Sequence, residues 1–335
     1  MLPLVLRRCL SIVPTLFVVS VLMFLLARLA PGDPAVLLLG ERATPEAVAA
    51  LRRDLGLDDP LLAQYGRYAL KVLRGDFGLS LRTRAPVGEE LWERFPATLE
   101  LALVSMLWAT AVGMLAGVLA ALRRGGWFDL LSRAAAVTGV SMPVYWLGLL
   151  LLLIFSVWLG WLPLSGRLSI GLEAPRVSGL LLVDTLLAGD RGAFLDALRH
   201  LILPALALGS IPVALVARMT RASVLDVLHQ DYVRTARAKG LPPRRVVGKH
   251  VLKNALIAIT TVVGLQFGLL LSGAILTETI FSWPGMGRWL IQAVYERDFQ
   301  VLQCGALVVA TAFVLINLLV DLSYLAVDPR LRQRS

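Results

Sequence analysis

The sequence has few of the residues that bind metals or form disulfide bonds. It contains two cysteines, Cys9 and Cys304, and both lie inside apolar stretches. Its three histidines are His200, at the end of an apolar stretch, and His229 and His250, in a basic segment. Disulfide frameworks and zinc sites need these residue types at defined spacings. We therefore expect neither a disulfide framework nor a metal site.

Motifs for catalysis and nucleotide binding are also missing. A P-loop needs a lysine followed by serine or threonine. The four lysines are followed by valine, glycine, histidine and asparagine; they are Lys71, Lys239, Lys249 and Lys253. Ser272 lies in an apolar stretch that has no histidine to activate it as a nucleophile. We expect no catalytic residues and no cofactor in this chain, so any ATP that drives it must bind to another chain.

Charged residues are scarce, at 17% of the 335 residues, while 57% are hydrophobic and the mean hydropathy is +0.74. Soluble domains have about 25% charged and about 45–50% apolar residues, so the composition predicts an integral membrane protein. The net charge of +10 could indicate a nucleic-acid partner. Because the basic residues lie mainly between apolar runs, we expect a lipid bilayer around the chain and no nucleic acid.

Six apolar runs are long enough to cross a bilayer as helices, which takes roughly 20 residues, so we predict an all-α membrane protein. The runs are Cys9–Leu29, Leu99–Leu122, Ala134–Trp158, Leu201–Met219, Leu256–Glu278 and Gln303–Val327. The first run exceeds the roughly 7–15 apolar residues of a signal peptide. We expect it to be a retained anchor.

The distribution of lysine and arginine predicts the orientation. These residues are concentrated in the segments that would be cytoplasmic if the N-terminus is inside: Met1–Arg8, Arg123–Arg133, Arg218–Lys253 and Asp328–Ser335. Positive charge favours the cytoplasmic side, so six spans place both termini there. We predict an anchor helix at residues 1–29, an extracytoplasmic loop subdomain at 30–97, and a core of five spans at 98–335 that includes a cytoplasmic loop at 218–254.

The extracytoplasmic subdomain is expected to contain two helices. Thr44 and Pro45 are typical of a helix start, and Gly56 of its end. A second helix should begin after Asp59-Pro60 and run to about Arg74. Its larger apolar residues could pack it onto the membrane helices; they are Leu61, Leu62, Tyr65, Tyr68 and Leu73. The subdomain could also be only a structural cap on the membrane helices, with no chemical function.

Two apolar runs carry glycines four residues apart, a spacing that lets helices approach closely. Gly113 and Gly117 lie in the second run, and Gly264 and Gly268, followed by Gly273, lie in the fifth. The glycine face of the fifth run is our candidate for an interface or for the lining of a pathway. Ordinary packing within the chain is the alternative.

Acidic residues in the apolar runs lie near the ends of those runs: Glu100, Glu278 and Asp321. A proton-coupled carrier usually needs acidic or basic groups nearer the middle of the bilayer. The pattern weakens the hypothesis of a self-sufficient secondary carrier or channel, which stays open.

A turn-forming stretch, FSWPGMG, follows the fifth run. Together with Glu278, its residues Trp283, Pro284 and Gly285 are candidates for a gate. Irregular backbone at the membrane surface must be satisfied by protein or water, so we expect the stretch to pack at the mouth of a pathway. A purely structural turn is the alternative.

The most unusual segment is the basic stretch between the fourth and fifth runs. Ala222–Lys239 is compatible with one helix, Gly240 with a left-handed stop, and Pro242-Pro243 with the start of a second helix. The segment could be a solvated topology signal, a DNA-reading helix-turn-helix, or a docking element for a cytoplasmic partner. Its tight turn favours docking, because a topology signal needs no defined shape and DNA reading is hindered by attachment to the bilayer at both ends.

The stretch RTARAKGLPPRRVVGKHVLKNAL resembles the EAA loop of the permease subunits of ATP-binding-cassette importers. Thr235 stands at the usual glutamate position, Ala236 and Arg237 at the two alanines, and Gly240 at the glycine. Other pieces agree in order along the chain, including LARLAPGDPA, PATLELAL, VSMPVYWLG, ETIFSWPGMGRWL and NLLVDLSYLAVDPRLR. The Ala-Lys-Gly variant is similar to the dipeptide and oligopeptide branch, and PGDP to the first of its two permease chains.

The resemblance implies a type I importer permease that moves dipeptides or oligopeptides across the bacterial inner membrane. It also implies a second homologous permease chain, two cytoplasmic subunits that bind ATP and Mg²⁺, and an extracytoplasmic solute-binding protein. Nickel, glutathione or an oligosaccharide are alternative solutes in this branch. The residues it assigns to coupling with the ATPase are Asp231, Tyr232, Thr235, Ala236, Arg237, Ala238, Lys239 and Gly240.

Overall fold

The computed structural model describes residues 2–29, 33–40 and 43–327, and this part of the chain is built from helices. The helices are α1 Leu2–Leu29, α2 Pro34–Leu39, α3 Pro45–Leu55, α4 Leu61–Leu73, α5 Val87–Leu122, α6 Trp127–Ser141, α7 Val144–Leu151, α8 Leu181–Leu187, α9 Arg191–Leu228, α10 Asp231–Ala238, α11 Pro243–Arg245, α12 Lys253–Gly273, α13 Ile275–Ile280, α14 Met286–Glu296 and α15 Phe299–Val327. Two π-helical segments, Leu152–Trp158 and Val246–Leu252, extend α7 and join α11 to α12.

The centre of the molecule is the long parallel pair α5 and α9, and glycines let the two backbones approach. A Cβ atom at Gly113 would lie 2.9 Å from the Val213 carbonyl oxygen, and one at Gly117 would lie 2.5 Å from the Ala217 oxygen. A larger residue at either position would push the helices apart. The close packing predicted from this glycine spacing in the second apolar run is confirmed.

Among the described residues, four continuous helical stretches are long and apolar enough to cross a membrane: Val87–Leu122, Arg191–Leu228, Pro243–Leu271 and Phe299–Val320. Each contains most of one predicted span. A shorter apolar stretch, Ile12–Leu26, lies within the first predicted span. The total of six spans and the cytoplasmic termini stay predictions, and the segment Asp328–Ser335 lies outside the described residues.

The prediction of a single helix for the third span was wrong. Residues 134–158 are divided at Met142-Pro143, where α6 and the α7 stretch are bent by 104°. Pro143 has no N–H to continue the helix and disfavours helical backbone at the residue before it. Met142 accordingly has extended backbone, with φ −83° and ψ 125°. The fifth predicted span is divided as well, since α12 ends at Gly273 and α13 begins at Ile275.

Both predicted helices of the outer segment are present. The Thr44 hydroxyl accepts a hydrogen bond from the Ala47 N–H at 3.3 Å, and Gly56 ends α3 with φ +60°. The second helix, α4, packs on α1 through Tyr65, whose ring centroid lies 5.5 Å from that of Phe24.

The predicted packing face of α4 was only partly right. Tyr65 and Tyr68 contact α1, but Leu61, Leu62 and Leu73 are exposed. Leu61 shares the face of the two tyrosines but lies at the start of the helix, whereas Leu62 and Leu73 lie to one side of that face. The division at residue 97 stays a prediction, and α5 continues through that position.

Candidate functional site

The basic segment starts where α9 ends, and the prediction of one helix over Ala222–Lys239 was wrong at its middle. The helix α9 stops at Leu228, and Gln230 is extended, with φ −73° and ψ 145°. The His229 ring nitrogen Nδ1 lies 2.6 Å from the Leu225 carbonyl oxygen, which occupies an acceptor at the end of α9. Asp231 then supplies negative charge in the first turn of α10, where the helix dipole favours it.

One face of α10 is anchored in the core of the protein. Val233 and Ala236 are 0% and 6% exposed. They belong to a buried apolar cluster with residues from α9 and from the segment that follows α10, among them Val224, Val246 and Val251. Ala236 therefore packs against its own chain, and its small size matters for the seating of α10.

The other face of α10 is exposed and carries most of the predicted coupling residues. Its exposed side chains are those of Asp231, Tyr232, Arg234, Thr235, Arg237 and Ala238, and Lys239 follows. Arg237 and Lys239 form no ion pair within the described part of the chain. The Thr235 hydroxyl donates to the Asp231 carbonyl oxygen at 3.0 Å. What α10 offers outward is thus a short, firmly seated helix with unpaired positive charge.

Gly240 supplies the left-handed stop after α10, as predicted. Its φ is +74°, a conformation that favours glycine, and its N–H donates to the Arg237 oxygen at 2.9 Å. No atom lies within 4 Å of the place where a Cβ would be. The predicted second helix also begins at Pro243, and its π-helical continuation leads into α12. A short helix, a tight turn and a second helix are therefore present.

The outer turn, which we define as Phe281–Gly287, is mostly buried, in contrast to the exposed face of α10. Trp283 is fully buried and its Nε1–H donates to the Ala97 carbonyl oxygen at 2.8 Å. Pro284 is half-buried, and a Cβ at Gly285 would collide with the Glu278 carboxylate and lie 2.5 Å from Thr98 Oγ1. The outer turn is held by contacts within this chain.

Glu278 stabilises the outer turn through hydrogen bonds. It is buried, and its Oε1 accepts from the Thr98 hydroxyl at 2.6 Å while its Oε2 accepts from the Arg288 N–H at 2.9 Å. The Gly287 N–H is a further donor. Thr98 Oγ1 in turn accepts from the Met286 N–H at 2.7 Å. These bonds satisfy the free N–H groups at the start of α14, so Glu278 caps that helix.

A second buried acid ties the outer loops to the same place. Glu100 accepts from Arg167 Nη2 at 2.5 Å and from the Leu182 N–H at 2.7 Å. The Arg167 guanidinium also lies over the Trp283 ring, 5.5 Å from its centroid. The outer turn is therefore covered by the segment between α7 and α8.

The candidate glycines of the fifth run face a helix of the same chain. A Cβ at Gly264 would collide with Val320, and one at Gly268 would lie 2.8 Å from the Phe313 ring, both on α15. Gly273 is the last residue of α12. The contacts of Gly264 and Gly268 are therefore those expected for ordinary packing within the chain, the alternative to an interface or a pathway lining.

An ion pair that the sequence did not reveal joins α6 to the end of α9. Asp129 is buried, and its two oxygens accept from Arg221 Nε at 2.6 Å and Nη2 at 2.9 Å. Asp129 Oδ2 also accepts from the Gly125 N–H at 3.0 Å. The pair holds α9 two turns before the end of that helix at Leu228. Asp129 and Arg221 are 92 residues apart in sequence, so no local pattern could have paired them.

Comparison with known proteins shows the family of the chain. Residues 1–102 match the N-terminal family of binding-protein-dependent transport system membrane components, and residues 113–333 match the family described as binding-protein-dependent transport system inner membrane component. The di/tripeptide transport system permease protein DppB of Pseudomonas aeruginosa is 52% identical over all of both chains. The glutathione transport system permease protein GsiC of Escherichia coli is 45% identical, again over all of both.

A solved structure shares the fold. A chain of the MetNI methionine ABC transporter, in an inward-facing conformation, superimposes with a TM-score of 0.50 at 19% identity, over 72% of this chain and 95% of that one. Together with the family matches, this similarity establishes the fold class. The chain belongs to the inner-membrane components of binding-protein-dependent transport systems, the permeases of ATP-binding-cassette importers.

Proposed function

We propose that this permease carries dipeptides and other short peptides into the cell as one of two homologous permease chains. The choice of peptides as the solute rests on sequence identity. The chain is 52% identical over its full length to a di/tripeptide permease and 45% identical to a glutathione permease. Two ATPase subunits on the cytoplasmic side and an extracytoplasmic solute-binding protein complete the assembly.

The exposed face of α10 is the proposed contact with an ATPase subunit. Residues Asp231, Tyr232, Thr235, Arg237, Ala238 and Lys239 supply the contact, and Gly240 sets the angle of the chain beyond it. Val233 and Ala236 act from the buried side, because they fix α10 to the core. A displacement of the ATPase would then move α10 together with the ends of α9 and α12.

The bend between α6 and α7 is the part of this chain that we assign to the pathway. Thr138, Ser141, Pro143, Tyr145 and Trp146 are exposed there, around an open hollow of about 430 Å³. Irregular backbone at membrane depth is tolerated only against protein or a water-filled cavity. A pathway shared with the second permease chain meets that requirement, and its neutral hydroxyl and aromatic groups would accept peptides of varied sequence.

The outer turn and the glycines of α12 support the pathway without lining it. Glu278, Trp283, Pro284 and Gly285 hold the turn rigid, so any gating motion must carry the turn as a unit with Arg167. Gly264 and Gly268 hold α15 close to α12. Primary recognition of the solute then belongs to the solute-binding protein.

Uptake into proteoliposomes tests this function. The complete assembly should accumulate a labelled dipeptide only when ATP and the binding protein are both present, and an excess of glutathione should compete weakly. Accumulation by this chain alone, without ATPase subunits, would favour the self-sufficient carrier instead. Stronger uptake of glutathione, nickel or an oligosaccharide than of dipeptide would keep the importer and replace its solute.

A further inference from the structure

A cavity of about 330 Å³ lies between α1, the outer helices α3 and α4, and the start of α15. Neither the coupling surface nor the proposed pathway includes it. Its volume is within the range of small-molecule sites, which begins at about 300 Å³. It therefore has room for a polar group of several heavy atoms.

Two side chains of α4 that line the cavity have buried polar atoms without a hydrogen-bond partner among the described residues. Gln64 is 6% exposed, and its Nε2 group donates to the carbonyl oxygens of Leu57 at 2.9 Å and Asp59 at 2.7 Å. Those bonds fix the amide, and Oε1 is left as a buried acceptor without a bond. The Tyr68 hydroxyl is also buried and unbonded. Burial raises the pKa of Tyr68 to about 12, so the hydroxyl keeps its proton and can donate.

The charges around the cavity leave one positive charge in excess. The basic lining residues are Arg28, Arg53, Arg67 and Lys71, and the acidic ones are Asp54, Asp59 and Asp76. Arg67 is paired with Asp59 at 2.7 Å. Arg28 and Lys71 have no carboxylate partner among the described residues, and Arg28 lies over the Phe24 ring at 5.4 Å. A group with a single negative charge would balance the cavity.

The end of α1 that carries Arg28 also carries exposed apolar side chains. Leu22, Leu26 and Leu29 of α1 present their side chains outward. In a chain embedded in a bilayer, this face meets acyl chains, and an arginine at the end of such a helix lies at the level of the headgroups. The cavity and the exposed apolar face are therefore at the same end of α1, on different sides of the helix.

We propose that this cavity binds the phosphodiester headgroup of a phospholipid, with its acyl chains along α1. Arg28 and Lys71 contact the phosphate, Tyr68 donates to it, and Gln64 Oε1 accepts from a hydroxyl or ammonium group of the headgroup. Placement in the outer leaflet rests on the orientation proposed above. The binding itself is independent of transport, so its failure would leave the proposed function untouched.

Binding can be measured on the purified full chain in detergent, with intact-complex mass spectrometry for stoichiometry and titration for affinity. The probes are dioctanoyl phosphatidylglycerol, dioctanoyl phosphatidylethanolamine, glycerophosphoglycerol, inorganic phosphate and a dipeptide. The variants are Arg28→Gln with Lys71→Gln, and Tyr68→Phe, which removes only the hydroxyl. The matched control is Arg74→Gln, an exposed arginine at the end of α4 that does not line the cavity.

We expect one equivalent of short-chain lipid to bind. Because charge-assisted hydrogen bonds are lost, the double variant should weaken binding about tenfold or more. Tyr68→Phe should weaken it by a smaller factor, and Arg74→Gln should leave it unchanged. Circular dichroism and elution volume identify variants that fail to fold, and Tyr68→Phe keeps the test open if the double variant is one of them.

Several outcomes would overturn the proposal. Lipid that binds without fixed stoichiometry, or with equal affinity to all variants, would indicate an annular layer and a cavity filled by water alone. Inorganic phosphate or glycerophosphoglycerol that binds as tightly as the lipid would show an anion site without a role for acyl chains. Tighter binding of the dipeptide would assign the cavity to the transported solute.

Discussion

The segment around α10 and the outer turn both stood out in the sequence, and the structure treats them in opposite ways. In the first, Arg237 and Lys239 are exposed and have no ion-pair partner among the described residues, and the Cβ position of Gly240 is open. In the second, Trp283 and Glu278 are fully buried and bonded to α5 and α14. The α10 segment is a surface that can bind a partner, whereas the polar groups of the outer turn are bonded within the chain.

This difference in exposure shows that a membrane protein can have polar and turn-forming residues between its spans for two different reasons. Polar and turn-forming residues are needed where a partner binds, but they are also needed where irregular backbone must be satisfied internally. Exposure distinguishes the two cases. Substitutions in the outer turn should therefore act mainly on the stability of this chain, and substitutions on α10 mainly on its assembly.

The largest effect is expected from Trp283→Ala. Truncation of a buried tryptophan costs about 3–5 kcal/mol, and here the hydrogen bond to Ala97 and the contact with Arg167 are lost as well. The free energy of unfolding in mixed micelles measures the change. Trp92→Ala is the control, because Trp92 is 76% exposed. Equal effects of the two substitutions would show that the outer turn is not packed as described.

Gly285→Ala should be the next most damaging. The added methyl group would overlap the Glu278 carboxylate and the Thr98 hydroxyl, and overpacking of this kind costs about 1–3 kcal/mol. The same unfolding measurement applies. Gly66→Ala in α4 is a suitable control, since nothing lies within 4 Å of its Cβ position. A Gly285→Ala protein as stable as the control would contradict the capping role of Glu278.

Local signals predicted much of the α10 segment and the outer helices, because their determinants lie close together in sequence. The Thr44 cap, the Gly56 end and the left-handed Gly240 each depend on one or two residues. The break at Met142-Pro143 was also encoded locally, and the long apolar run around Pro143 concealed it.

Contacts between distant residues could not be predicted in this way. Thr98 and Glu278 are 180 residues apart, and Trp283 is 186 from Ala97. The burial of Ala236 likewise depends on the path of the chain after Gly240. A single sequence does not show which apolar faces contact each other. It therefore cannot predict whether a given residue is exposed or buried.

Gly240→Ala should have a smaller effect that is confined to the α10 turn. Since the space around the Cβ position is open, the cost comes only from the left-handed backbone, at roughly 1–2 kcal/mol. Gly248→Ala serves as control, because its Cβ position is open too and its φ is ordinary. Stability should fall in the first variant alone, and a fall of equal size in both would point to another cause.

The smallest effect on this chain is expected when Arg237 and Lys239 are both changed to glutamine. Both are exposed and form no ion pair with another described residue, so the free energy of unfolding should change by less than about 0.5 kcal/mol. Association with the ATPase subunits should weaken, and its dependence on salt should decrease. Arg74→Gln is the control for a lost exposed charge, because Arg74 is exposed and no ion pair joins it to another described residue. Unchanged association of the double variant would remove these two residues from the docking surface.

Hydrogen exchange tests the contrast between the two segments most directly. Amide exchange is compared for the purified chain alone and with its ATPase subunits, peptide by peptide. We predict slower exchange in residues 231–240 when the ATPase is added, while residues 281–287 are already protected in the chain alone and do not change. If residues 231–240 exchange equally in both samples, or if the outer turn gains the protection instead, the assignment of the docking surface is contradicted.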